Sequence, residues 1–198
     1  SNLEGVSTGG NIGISNSGGA LTIGVVGAAT GVSTATSGTI DVSTAGGALT
    51  VSEAVTAAGS DIVKLTGVGL TNSATVTGPG GVTLSAGTGT LTSTAGSITN
   101  GSTAGAITLS ADTDIVLAGG AGSITGGSGN VTLKDSAGSV TIALEGGTGT
   151  IALADADLDE ITTTGSIILG DSGTGAIEVG GAVTVTPSLS LVSGAGVT

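Results

Sequence analysis

No Phe, Tyr, Trp, His, Cys or Met occurs anywhere in this chain of 198 residues. Any interior must therefore be built from Val, Ile, Leu and Ala. Such side chains fill only a thin space, whereas two sheets packed face to face stand about 10 Å apart and usually need a large aromatic to plug the gap. The chain is still apolar enough to fold. Its hydrophobic share is 38% before its 41 glycines are counted, and its mean hydropathy is +0.57. Disordered chains combine low hydrophobicity with high charge, and only 8% of residues are charged here. This composition permits a narrow core, repeated many times.

The repeat is visible. Asn11–Ile23 recurs as Thr39–Val51, sharing the identical stretch Gly-Gly-Ala-Leu-Thr, and Ala-Gly-Ser-Ile-Thr occurs at both 95–99 and 121–125. The general unit is two apolar residues one apart, a Ser/Gly/Asp break, and a third apolar residue nine positions after the first. Ile12, Ile14 and Leu21 obey it, as do Ile40, Val42 and Leu49; Val82, Leu84 and Leu91; and Val131, Leu133 and Val140. Ile107/Leu109 and Ile167/Leu169 follow with a one-residue slip. Alternation with period two predicts short strands with one face inward. Gly-Gly pairs at 18–19, 46–47, 80–81, 126–127 and elsewhere mark corners, where glycine tolerates positive φ.

Short strands at this spacing suit a β-sandwich or a β-solenoid. The missing aromatics favour the solenoid. The predicted fold is all-β: a parallel β-helix with about 24–28 residues and three short strands per coil, forming one segment over residues 1–198. Longer steps from Ile40 to Val82 and from Val131 to Ile167 place irregular coils near 52–80 and 145–165. The apolar repeat runs close to both ends, over Val6–Ile14 and Val183–Val192. Solenoid ends expose strand edges, so the expectation is end-to-end self-association or continuation of a longer chain.

Charge narrows the partners. Fourteen acidic and two basic residues give a net charge of −12. Lys64 and Lys134 cannot form the basic footprint that phosphate backbones require, and no aromatic offers a stacking platform; nucleic acid is not an expected partner. No apolar run reaches transmembrane length, so membrane insertion is not expected. Cations are the natural small partners of such a surface.

Candidate chemistry is sparse. Asp155, Asp157, Asp159 and Glu160 form the densest acidic cluster. On a strand, 155, 157 and 159 would share one face about 7 Å apart, and oxygen-only ligands suit Ca²⁺. The glycine and the distant Glu of an EF-hand loop are missing, so a solvated loop is the alternative. Calcium is the one cofactor the sequence suggests. The same carboxylates could serve as a glycosidase pair, but sugar-stacking aromatics are absent, and without His no Ser-His triad exists. No enzymatic activity is expected. The threonines at 88, 90, 92 and 94 would suggest a flat ice-binding face if they recurred in each coil, and in the sequence this run does not. Lys64 and Lys134 are read as plain exposed lysines. Asn100-Gly-Ser102 and Asn130-Val-Thr132 match glycosylation sequons.

The segments Gly122-Ser-Ile-Thr-Gly126, Gly129-Asn-Val-Thr-Leu133 and Thr164-Gly-Ser-Ile-Ile-Leu169 resemble those of filamentous-haemagglutinin-like proteins and related giant bacterial surface adhesins. The resemblance covers most of the chain. It implies a right-handed parallel β-helix, secretion to the cell surface, and a role as a stalk or adhesive fibre; the alternative reading is a binding module in which one face or a calcium-stiffened acidic loop recognises glycans or a host surface. The secretion cap and the binding domain of those families are not recognisable here.

Overall fold

Val, Ile and Leu at alternate positions extend the backbone and give each short segment one apolar face, which a single strand cannot bury alone. In the computed structural model, which describes residues 1–27 and 30–198, these segments stack on one another as a β-solenoid of about eight turns.

The first coil contains β1 (Asn2–Leu3), β2 (Gly5–Ser7) and β3 (Ile12–Asn16), and the second β4 (Leu21–Ile23), β5 (Val32–Thr34) and β6 (Ile40–Thr44). The third holds β7 (Leu49–Val51), β8 (Val55–Thr56) and β9 (Ile62–Thr66), and the fourth β10 (Leu70–Asn72), β11 (Val76–Thr77) and β12 (Gly81–Ser85). The fifth holds β13 (Thr90–Ser93), β14 (Ile98–Thr99) and β15 (Ala106–Ser110), and the sixth β16 (Asp114–Leu117), β17 (Ile124–Gly127) and β18 (Val131–Lys134). The seventh is elaborated: β19 (Ile142–Leu144), β20 (Ile151–Leu153), the one-turn helix α1 (Asp155–Leu158), β21 (Ile161–Thr163) and β22 (Ser166–Leu169). Then come β23 (Ile177–Val179) and β24 (Ser188–Leu191).

Three parallel sheets form the faces. The first runs β1-β4-β7-β10-β13-β16, the second β2-β5-β8-β11-β14-β17-β21, and the third from β3 through β6, β9, β12, β15, β18 and β22 to β24. Register places like on like. Leu21, Leu49, Leu70, Leu91 and Ile115 lie in one inward column. Ile40, Val63, Val82, Ile107, Val131 and Ile167 form another, and Val32, Val55, Val76, Ile98, Ile124 and Ile161 a third. These columns are buried and make one continuous core. Its width suits branched aliphatic side chains.

The step from Ile40 to Val82 contains a whole ordinary coil. Val63 and Leu65 of β9 stand in register between Ile40/Val42 and Val82/Leu84. The nine-residue rule misses this coil because its next inward residue, Leu70, comes only seven positions after Val63. A tight Gly67-Val68-Gly69 turn, with Gly69 at φ +91°, shortens the corner. The Gly-Gly corners also have a second cause besides φ. Gly46 and Gly47 have no positive φ, but a Cβ on Gly46 would stand 2.4 Å from Gly18 O in the coil beneath. There glycine permits coils to stack.

The outward positions form columns too. Thr22, Thr50, Thr71 and Thr92 run up the first face, and Thr56, Thr77, Thr99, Thr125 and Thr162 run up the second. Threonine therefore recurs by rung, one per strand, although the 88–94 run does not recur in the sequence. β-Branched residues suit this half-exposed pleated surface.

One inward column turns polar at Asn72 and Ser93, between Val51 and Leu117. Asn72 sits between Val51 and Ser93 in an inward column, is 0% exposed, and has neither side-chain polar atom hydrogen-bonded. A buried unpaired amide costs about 1–3 kcal/mol. Asn72→Val, extending Val51, is expected to raise unfolding free energy by about 1–2 kcal/mol, whereas Leu65→Ala should lower it by about 2–5 kcal/mol. Denaturant titration of the two variants checks both signs.

Candidate functional site

The acidic segment was predicted as a strand or loop; it forms the helical turn α1. Its composition explains this. Ala and Leu are good helix formers, carboxylates are favoured in a first turn, and Leu158 is turned into the core. The strand geometry that would have set 155, 157 and 159 on one face does not occur. Asp155 Oδ2 accepts from Thr184 N at 2.9 Å and from Thr184 Oγ1 at 2.6 Å. Asp157 Oδ2 turns back to accept from Ala154 N at 2.8 Å. Glu160 is buried, and its Oε2 accepts from Gly119 N at 3.0 Å and Ser123 Oγ at 2.8 Å. Asp159 is exposed beside a shallow depression lined by Leu158, Ile161 and Pro187. Three of the four carboxylates thus serve different partners, and Asp159 faces solvent. Among the described residues no three acidic side chains are grouped to hold a metal ion.

The same use of polar side chains runs through the molecule. Glu4 Oε2 accepts from Val26 N and Gly27 N, and Asp61 Oδ2 accepts from Gly38 N at 2.7 Å. Asp112 Oδ1 accepts from Ser136 N and Ala137 N. Each bond links neighbouring coils at a corner, where the backbone ladder is interrupted and N–H groups would otherwise lack partners. Asn11 and Asn130 do this at equivalent points. Each precedes an inward pair of the third face, and each accepts from the residue preceding the next pair up, Thr39 N at 2.9 Å and Ser166 N at 3.0 Å. In the sequence Asn130 stands out only as part of a sequon, and Asn11 carries no reading of its own. The available signal was the shared position before an apolar pair. Asn100, in the other sequon, is fully buried and donates to the carbonyls of Thr103, Gly105 and Gly126.

The lysines are paired. Lys134 Nζ stands 2.7 Å from Asp171 Oδ2, and Lys64 Nζ 3.9 Å from Asp41 Oδ2. Both pairs are substantially exposed, so they contribute little to stability. The hydrogen bond from Lys134 holds the Asp171 carboxyl below its ordinary range, helped by the Gly173 amide. Burial pushes Asp157 the other way; the Ala154 amide opposes the rise, and the charges of Glu160, Asp114 and Glu145 add to it.

No protein-family model matches the chain, and neither curated proteins nor solved structures yield a match.

The two shifts have opposite consequences. Asp171 has a depressed folded pKa, so its stabilising contribution is present above the ordinary carboxylate range and is lost as pH falls through the folded value. Asp157 has a raised one, so its contribution is present in acid and is lost as pH rises through the folded value. Carboxyl NMR titration should give Asp157 a midpoint above that of exposed aspartates, falling in Asp114→Asn. Asp171 should titrate below them and rise in Lys134→Met. Midpoints in the reverse order would contradict the assignment. Asp157→Asn keeps an oxygen facing Ala154 N and should stabilise the fold at neutral pH, measurable as a higher Tm.

Proposed function

We propose that this chain is a rod segment of a secreted bacterial surface protein or extracellular fibre, whose work is to span distance and present surface. The observation that carries this reading is the uninterrupted alignment of the inward aliphatic column of the third face over the stack, from Ile40 to Ile167. Eight stacked strands at about 4.8 Å make a rod of roughly 35–40 Å, and its first and second faces carry rows of threonine hydroxyls. The resemblance of the Gly-Ser-Ile-Thr and Gly-Asn-Val-Thr-Leu segments to surface adhesins supports the same role and an extracellular location.

The surface features fit a structural part. The depression beside α1 is lined by one carboxylate, Asp159, whereas glycoside hydrolysis uses two across a bound sugar. The groove on the third face is lined by Thr108, Thr132, Ile168 and Val192 with the Lys134–Asp171 ion pair. It has no aromatic platform for a sugar ring.

An antibody raised against the folded segment tests the location and the role together. It should label intact source cells or their extracellular fibres by immuno-electron microscopy. Labelling that appears only after the cells are permeabilised would overturn the proposal.

A further inference from the structure

Coils six and seven are joined differently on the three faces. On the third face β18 pairs with β22 without irregularity, Val131 to Ile167 and Leu133 to Leu169. On the second, β17 pairs with β21 through a register shift between Thr125 and Gly127. On the first face the chain reaches β19, folds back through 145–150 and lays β20 beside β19. β20 packs next to β16, yet among the described residues no backbone ladder joins them. The bond that crosses is a side-chain one, Ala152 N to Asp114 Oδ1 at 3.1 Å.

A second carboxylate crosses at the adjoining corner. Glu160, in the seventh coil, accepts from Gly119 N and Ser123 Oγ of the sixth. Across the junction the Asp114 carboxylate also faces the like charge of Asp157 in the seventh coil, which adds to the rise of the Asp157 pKa. The two lysines are engaged elsewhere, with Asp41 and Asp171.

We infer that the junction of the sixth and seventh coils is a hinge in the rod, with the third face as its leaf and Asp114 and Glu160 as its latches. A continuous ladder resists opening with a row of backbone bonds, and local opening follows the places where such bonds are few. On the first face the row is replaced by one carboxylate contact. Letting go of Ala152, Gly119 and Ser123 frees the first face and its corner, so that 135–198 tilts against 1–134 as far as the bulged β17–β21 pairing on the second face yields, while the regular pairing of β18 with β22 holds the two parts together.

The absence of cysteine makes the test direct. Spin labels on Thr92→Cys and Glu178→Cys span the junction on the first face, and labels on Thr83→Cys and Ser190→Cys span it on the third. In an Asp114→Ala/Glu160→Ala background the first-face distance distribution should broaden and shift outward while the third-face distribution stays narrow. Amide exchange at Gly119 and Ala152 should accelerate about tenfold, with 131–133 and 167–169 still protected. Asp114→Asn/Glu160→Gln keeps an acceptor oxygen at each latch and should stay close to the parent in both readouts. Unchanged first-face distances in the alanine variant would overturn the hinge. So would equal loss of protection on the third face, since the carboxylates would then be general supports of the fold.

Discussion

Everything in this molecule depends on parallel strands stacking in register, so that each inward Val, Ile or Leu rests on its counterpart one coil away. The contact is short-ranged and repeats along the axis, as expected of quasi-one-dimensional proteins. It sets the cross-section, because a coil with three short sides has room for branched aliphatic residues and no need of an aromatic. It also sets the surface, since period-two alternation sends every second residue outward and aligns the threonines into rows. A core of this kind tolerates variable corners, and successive third-face rungs fall at intervals of 23, 19, 25 and 24 residues between Ile40 and Val131.

Corners are where the chain uses its polar residues. A strand ladder satisfies its own backbone, but a turn leaves N–H groups without partners, and burying those is costly. Carboxylate and amide oxygens at residues 4, 11, 61, 112 and 130 answer this by reaching to an adjacent coil. The strongly acidic balance is thus partly structural: it supplies acceptors where the ladders stop. The Asp155–Glu160 segment belongs to the same economy, each of its bonded carboxylates serving a different donor.

The architecture was legible because the inward columns are written plainly as apolar pairs. Ile12/Ile14, Ile40/Val42 and Val82/Leu84 predict strands, and the missing aromatics predict a thin stack. The third coil was hidden by a corner two residues shorter than its neighbours, a feature of turn geometry that apolar spacing does not encode. The back-fold of β19 and β20 was equally hidden: Ile-Ala-Leu occurs at both 142–144 and 151–153, and nothing local tells that the later strand lies on the nearer side. The acidic cluster was visible as composition, but its geometry was not. Whether Asp155, Asp157 and Glu160 converge or diverge depends on Thr184, Ala154 and Gly119, two of them more than 25 residues away.

β20 adds a strand to one side of the stack. Along the first face six strands are followed by β20, β19 and β23, while the third face has eight over the same turns. In a crystal, an extra half-plane of this kind is an edge dislocation, and the lattice curves around it. Here the surplus is one strand spacing, about 4.8 Å, and a stack that absorbed it by bending would carry the first face on its convex side. Repeated at intervals along a longer stack, insertions on one face would turn a straight filament into an arc, and insertions that precess from face to face would turn it into a coil. The curvature of a fibre built this way is therefore set by where the chain doubles back.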